Sequence, residues 1–478
     1  MSNKQKALNG GKWITISTVI STVCQFLQIA IIARLLEPAA FGIVSISTMI
    51  IGFFSMFTNL GFNNSIIYKQ EEDKNILSSL YFLNLFLGFF IFVVIYLSSP
   101  LIVDFYHEPR LDQIIKVASL FFLIVYFGQI YSILMQKELR FKTLAIIDIS
   151  AIVIATVVTI LFAYNGFKEY SLIYGQLIMQ LYKTLAQIFF GRDLFKVKWH
   201  FKYQEVKEHI RFGIYNLGDG IVGFIQSNSD NMLIGSMLGI KLLGYYTLAT
   251  QLAVFPISRL NPIVLQVAYP IVAKMKEDAS QMKSAYIKIL DFLSYCNIPL
   301  LAGLYITADS VVPLFYGPGW DPTIGLIKIM VIASVFMCLA HPLFTLAFSK
   351  GKPNLLFYLN IATLAVKIPL IYFLGKYALA TGVAWALVLA TLINLIINFG
   401  MVQSLIGNFL GGFFKNLFKP VLFSVIMMFG VYLYKTFVGH VGVFHTSMEI
   451  IIGGAIFGAL TLKYKLSISE IKALRKSM

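Results

Sequence analysis

The chain has 478 residues, 58% of them hydrophobic and only 13% charged, with a formal net charge of +16. Soluble globular chains run about 45–50% apolar and about 25% charged, so a water-soluble core is excluded and lipid must solvate much of this surface. The positive balance fits either a nucleic-acid partner or a membrane protein with cationic loops, and the placement of the charges decides between them.

A spanning helix needs about 20 apolar residues, and about fourteen such segments follow one another along the chain. Their cores fall at 13–36, 40–67, 78–103, 113–136, 143–165, 169–191, 212–237, 242–269, 284–307, 323–348, 354–375, 378–404, 419–438 and 446–464. The first, from Trp13 to Leu36, is too long for a signal-peptide core and has no A-x-A site, so it reads as a signal-anchor helix. The third, with LNLFLGFFIFVVIYL at 83–97, is among the clearest, and the seventh is the most polar.

The loops between these segments alternate in charge. One set, together with both chain ends, holds 27 of the 38 basic residues, and the opposite set holds eight. The remaining three, Lys183, Arg259 and Lys367, lie inside spans. This asymmetry predicts a multi-pass protein of the cytoplasmic (inner) membrane with both termini cytoplasmic, which requires an even number of spans. Basic charge spread over many short loops offers no dedicated face for nucleic acid. The longest cytoplasmic loop, 192–211, contains FKVKWHFKY at 195–203, where basic and apolar residues alternate. It reads as a linker lying on an anionic membrane surface, rings inward and lysines outward.

Cys24, Cys296 and Cys338 each sit in an apolar run without a partner at metal-ligand spacing, which fits small buried hydrophobes. The six histidines form no cluster, and there is no Gly-rich phosphate loop, zinc spacing or nucleophile triad. The sequence therefore calls for no cofactor, no metal and no catalytic group.

An internal repeat is visible. IARLLEPAAFGIVSIST at 32–48 matches IGSMLGIKLLGYYTLAT at 234–250 with an offset of 202, aligning Ile32 with Ile234, Leu36 with Leu238, Gly42 with Gly244 and Thr48 with Thr250. Each copy opens a block of six helices, an even number, so the two blocks point the same way through the membrane. The expected architecture is an all-α polytopic membrane protein with two parallel six-helix lobes around a central cavity. The N-lobe covers 1–191, a cytoplasmic linker 192–211, the C-lobe 212–404, and a C-terminal helix pair with a cytoplasmic tail 405–478.

Polar stripes mark the first helix of each lobe. In the seventh span Asn216, Asp219, Gly223, Gln226 and Asp230 recur at spacings of 3, 4, 3 and 4, which is one helical face. The first span carries Thr18, Ser21, Gln25 and Gln28, and the offset aligns Gln28 with Asp230. A charge in hydrocarbon costs a few kcal/mol or more, so these faces look into protein or water. They serve either inter-helix hydrogen bonding or a lumen. Arg259 lies between Pro256 and Pro262, which are expected to bend its helix and free backbone carbonyls. Lys183 and Lys367 either snorkel, pair with Asp148, Asp219 or Asp230, or join Arg259 in an electropositive cavity for an anionic pyrophosphate.

KALNGGKWITIS near the start, ARLLEPAAFGIVSI at 33–46 and NLGF at 59–62 together resemble Wzx-type oligosaccharide flippases. The run from FGIYNLGDG through YYTLATQL, VAYPIVAKMKED at 267–278 and YGPGW at 316–320 are similar to the colanic-acid-exporter branch, and the likeness covers nearly the whole chain. The resemblance implies the fold of the multidrug/oligosaccharidyl-lipid/polysaccharide (MOP) superfamily, two lobes in a V plus an added helix pair. It implies translocation of undecaprenyl-pyrophosphate-linked oligosaccharide units for surface polysaccharide biosynthesis by alternating access. Partners would be the lipid-linked substrate, the bilayer, H+ or Na+ as coupling ion, and polysaccharide polymerases and glycosyltransferases. Related lipid flippases carry cavity arginines on helices one, two and eight. Only Arg259 matches that placement by helix, since Arg34 lies at the outer end of helix one and helix two has no basic residue in its core. The resemblance makes Asp219 and Asp230 the ion-coupling candidates, and Arg259, Lys367, Lys183, Arg34, Gln25, Gln28, Asn216 and Gln226 the substrate-cavity candidates.

Two rival readings remain open. An ion-coupled drug antiporter of the same fold would favour an acidic, aromatic cavity with few bases. A membrane polysaccharide polymerase or ligase would need a sizeable outer loop for its chemistry, yet the longest outer stretch, around 307–322, has no His, Arg or Lys.

Overall fold

The computed structural model describes the backbone of residues 3–58, 62–439 and 442–464, and the side chains of 10–57, 65–209, 220–439 and 442–464. Every described element is a helix, and the chain divides into two compact units, Met1–Gly244 and Tyr245–Met478. Among the described residues eleven helices are long and apolar enough to cross a membrane.

The first unit holds α1 (Asn3–Leu35), α2 (Pro38–Thr58), α3 (Phe62–Lys69), α4 (Lys74–Tyr106), α5 (Arg110–Lys137), α6 (Phe141–Tyr164), α7 (Tyr170–Gly191), α8 (Tyr203–Met237) and the start of α9 (Ile240–Ala273). The span expected over 40–67 is covered by α2 and the start of α3, with 59–61 outside the described residues. Asp73 starts α4 by accepting a 2.7 Å hydrogen bond from the Asn75 backbone N–H, the usual remedy for an orphaned first-turn donor. With 33 residues, α4 runs about 50 Å and overshoots a hydrocarbon core of about 30 Å.

The two faces of α4 show why the sequence looks apolar throughout yet packs specifically. Phe86, Phe89, Phe90, Leu97 and Leu101 are exposed, as a lipid-facing surface should be. The opposite face buries Ser78, Ser79, Asn84, Gly88 and Ser99. Small residues let helices approach where apolar burial gives no driving force. Gly88 accordingly sits against Tyr126 of α5, Gly128 of α5 against Thr184 of α7, and Gly175 of α7 against Thr159 of α6. In the same unit α1 packs on α6, and α8 packs on α2, α3 and α4. A cluster of Leu77, Leu80, Tyr81, Ile130, Tyr131 and Phe195 fills the space between α4, α5 and the segment after α7.

The second unit holds the rest of α9, then α10 (Ala279–Tyr316), α11 (Asp321–Ala340), α12 (Leu343–Ser349), α13 (Asn354–Ile406), α14 (Leu410–Phe437) and α15 (Val443–Tyr464). Asp278 caps α10 by accepting from the backbone of Ser280 and Gln281. The span expected over 323–348 is broken at His341–Pro342 into α11 and α12. The 53 residues of α13 contain non-helical backbone at Ala378 and Leu379, so the run comprises two helical segments, matching the two spans expected at 354–375 and 378–404. Leu379 has φ 49°, a left-handed conformation costly for a branched side chain. Gly382 permits the tight turn, because its Cα lies against the Leu374 carbonyl where a side chain would collide. The core of this unit joins Met282, Tyr286 and Leu290 of α10 to Leu346, Leu359, Val402 and Phe409.

Candidate functional site

In the first unit the polar stripe of α1 reaches α6 through Gln28. Gln28 accepts a 3.2 Å hydrogen bond from the Thr156 hydroxyl, and Gln25, one turn earlier, is exposed. Arg34 lies in the last turn of α1, exposed, where a cation complements the C-terminal end of the helix dipole. Lys183 of α7 forms a 2.6 Å ion pair with Asp148 of α6. Of the readings the sequence left open for Lys183, pairing with Asp148 is the arrangement found.

Beside that pair is a cavity of about 340 Å³, lined by Ser17, Thr18, Ser132, Gln136, Asp148 and Gln187 together with apolar Ile14 and Phe141. Four helices build it: α1 at 14–18, the first turns of α6 and the last turns of α5 and α7. Ser132 and Gln136 are one turn apart on α5, as Lys183 and Gln187 are on α7, and each pair shares a face. That spacing is present in the sequence, but it is shorter than the stripes of the first and seventh spans.

On α8, Asp230 is buried at 6% exposure, and Gln226 accepts a 3.4 Å hydrogen bond from Ser227. Phe224 of the same helix stacks edge-on to Phe53 of α2 at 5.5 Å. The side chains of Asn216 and Asp219 lie outside the described residues.

The N-terminal turns of α8 meet α3 in a charged junction that sequence reading missed. His209, 2% exposed, shares a 2.7 Å hydrogen bond with Ser65, and Lys69 forms a 2.5 Å ion pair with Glu208. Lys137 reaches the Gln70 and Glu71 carbonyls and pairs with Glu72 at 3.5 Å. Glu205 accepts from Ser79 at 2.8 Å and lies 2.9 Å from His200. Hydrogen bonding from Lys69 holds the Glu208 carboxyl below its ordinary pKa, and His200 does the same for Glu205. Burial pushes the His209 pKa down, favouring the neutral ring. In the adjoining connector Trp199 is 96% exposed and stacks on Phe82 at 5.2 Å.

In the second unit Arg259 lies in α9, which continues through Pro256, Pro262 and Pro270, and its guanidinium sits 5.8 Å from the Phe255 ring centre. Lys367 of α13 is only 4% exposed. A buried amide network links the helices around them. Asn297 of α10 donates to the Asn261 oxygen at 3.0 Å, Asn261 lies 3.1 Å from His341 Nδ1, and Asn398 donates to the Ala340 carbonyl at 2.8 Å. Asparagine inside an apolar run is easily passed over in a sequence, yet these three tie α9, α10, α11 and α13 together at the α11–α12 break. Further along, Lys435 of α14 pairs with Asp309 of α10 at 2.8 Å, and Ser310 donates to buried Glu449 of α15 at 2.9 Å.

Among the described residues no group of three His, Cys, Asp or Glu side chains is placed to hold a metal ion. What the interiors offer instead is hydrogen-bonding capacity and fixed charge within membrane-spanning helices: amides and hydroxyls in the first unit, a guanidinium and an ammonium in the second. Such groups suit binding and passage of a polar molecule.

Residues 31–325 match the family described as polysaccharide biosynthesis protein. The lipopolysaccharide biosynthesis protein WzxC of Escherichia coli K12 is 31% identical over 399 residues, covering 84% of this chain and 81% of WzxC. The teichuronic acid biosynthesis protein TuaB of Bacillus subtilis is 29% identical over 443 residues, covering 90% and 89%. Among solved structures, the lipid II flippase MurJ in an inward closed conformation superposes with a TM-score of 0.77 over 94% of this chain and 97% of MurJ, at 16% identity. That likeness gives the fold. With helices apolar enough to cross a bilayer many times and a family match over more than half its length, the chain is a multi-pass membrane protein belonging to the polysaccharide biosynthesis protein family.

Proposed function

We propose that this protein flips undecaprenyl-pyrophosphate-linked oligosaccharide units across the cytoplasmic membrane by alternating access, supplying surface polysaccharide synthesis. The observation that carries the reading is the family match over residues 31–325, supported by relatives named for lipopolysaccharide and teichuronic acid biosynthesis and by the fold shared with a lipid II flippase. The polar interior has the chemistry a glycan needs, and Arg259 and Lys367 have the charge its pyrophosphate needs.

The fourteen-span reading counts α13 as two crossings and adds α7 and α8 to the apolar set. It puts both termini in the cytoplasm, with lobes at 1–191 and 212–404 and the helix pair beyond 405. Within it Asp219 and Asp230 couple transport to H+ or Na+, Gln25, Gln28, Asn216, Gln226 and Arg34 line the path, and polymerases and glycosyltransferases act before and after the flip. The protein moves its substrate without making or breaking a covalent bond.

The test is inactivation of the gene in its host. Surface polysaccharide should disappear while lipid-linked oligosaccharide accumulates, inaccessible to a glycan oxidant added outside the cell. Accumulation on the outer face would place the defect after the flip and overturn the proposal. Purified protein in vesicles should translocate that oligosaccharide lipid and leave cationic drugs untouched; the reverse would favour the antiporter. For topology, a cysteine probe at exposed Asp321 should react from outside the cell and one at exposed Glu277 only from inside.

A further inference from the structure

The cavity between α1, α5, α6 and α7 lies wholly within the first unit and shares Thr18 alone with the stripes singled out in the sequence. Its convergent groups, two amides, a carboxylate and three hydroxyls, match the alternating donors and acceptors of a sugar ring, while Phe141 and Ile14 offer an apolar wall for the C–H face of that ring. At about 340 Å³ it falls in the size range of small-molecule sites. It lies near the end of the unit that carries the basic residues of the α5–α6 turn and the end of α7. There Lys142 stands 5.4 Å over the Trp13 ring, and Arg140 is held by Asp193. The Lys183–Asp148 pair beside it is a quarter to nearly half exposed, so it is a weak pair, open to exchange.

We propose that this cavity is the entry subsite for the glycan headgroup of the lipid-linked substrate, and that Lys183 exchanges Asp148 for the substrate's phosphate when the headgroup enters. The proposal rests on the flippase reading and adds to it a location: the glycan is first held inside the first unit, by Gln136, Gln187 and Ser132. Exchange is favoured because a phosphate group carries more charge and more acceptor oxygens than a single carboxylate.

The experiment uses the full chain in lipid vesicles, with its three cysteines replaced and one new cysteine at Gln136→Cys or Ser132→Cys. Maleimide labelling is timed in the presence of lipid-linked oligosaccharide extracted from the producing cells, of undecaprenyl phosphate, or of neither. The intact extract should slow labelling several-fold at both cavity positions and leave a Glu277→Cys control unchanged, while undecaprenyl phosphate has no effect. Lys183→Gln should weaken that protection and Lys183→Arg preserve it. Unslowed cavity labelling in vesicles that still flip the extract would overturn the subsite and leave the flippase intact. Protection by undecaprenyl phosphate alone would also overturn it, because the cavity would then hold the lipid phosphate and not the sugar. Absence of flipping by the native chain in vesicles that hold the extract would remove the flippase reading itself.

Discussion

Gly42 and Ile240 meet backbone to backbone, and Gly244 and Pro38 make the same contact in the reciprocal sense. The offset of 202 that aligns Gly42 with Gly244 also aligns Pro38 with Ile240. The first turns of α2 and α9 therefore contact each other through residues that the sequence repeat makes equivalent. A side chain at either glycine would run into a carbonyl oxygen that cannot step aside.

Gly42→Ala and Gly244→Ala should each destabilise the protein by about 1–3 kcal/mol, because backbone has to move to admit a methyl group. Gly223→Ala, whose Cβ would meet open space, should be neutral or slightly stabilising. Thermal unfolding in detergent, followed by the loss of the monodisperse peak, measures all three. Equal midpoints for the three variants would show that the contact is loose.

The Lys183–Asp148 pair predicts non-additive stability effects. Lys183→Met or Asp148→Leu alone leaves one charge without its partner, whereas the double variant removes both. Both side chains keep partial solvent access, so the coupling should be small, about 0.5–1 kcal/mol. A double-mutant cycle on unfolding midpoints checks it. A coupling of zero would mean that the two charges are independently hydrated.

Much of this fold was legible because a bilayer leaves few choices: an apolar run of about 20 residues has to be a helix. The run at 83–97 became the middle of α4, and the partner for Lys183 was among those anticipated. What stayed hidden depends on neighbours distant in sequence. Ser65 and His209 are 144 residues apart, and Asn261 and Asn297 are 36 apart, so no local pattern announces either contact. The left-handed Leu379 carries no proline or glycine signal at its own position, and the turn there shows only through Gly382 and its approach to the Leu374 carbonyl. The polar stripe of α8 was legible as a stripe, but the charged junction of its first turns with α3, through Glu208 and His209, was not.

His209 gives that junction a pH dependence. Its folded pKa is depressed from the usual 6.5 by burial and by Lys69, against opposing pulls from Glu71 and Glu208. A depressed histidine binds fewer protons folded than unfolded, so its contribution to stability is intact above the ordinary value and declines as the pH falls below it. Glu208, whose pKa is also depressed, loses its contribution only as the pH drops below the ordinary carboxylate value of 4.5, so the two effects separate. Hydrogen exchange at the first turns of α8 should accelerate on going from about pH 7.5 to about pH 5.5. His209→Gln, which can still hydrogen-bond Ser65, should flatten that response. An unchanged profile in the variant would assign the effect to other groups.

Arg259 carries the sharpest functional expectation. It lies between Pro256 and Pro262, in a helix that also contains Pro270. Each proline removes one helical hydrogen bond, and Pro262 leaves the carbonyl of Ser258 without its usual partner next to the guanidinium. A cation in a span costs a few kcal/mol or more unless protein, water or a ligand solvates it. The Phe255 face 5.8 Å away contributes to that solvation, and the proposed pyrophosphate would add a bidentate fork. Arg259→Ala should therefore abolish glycan export while the protein reaches the membrane at normal abundance. Arg259→Lys should recover only part of the activity, because a point charge replaces a planar fork. Normal export by the alanine variant would remove Arg259 from the transport path. Loss of the alanine protein from the membrane, with abundance restored by a neutral Arg259→Gln that still exports, would make the residue a packing element of α9.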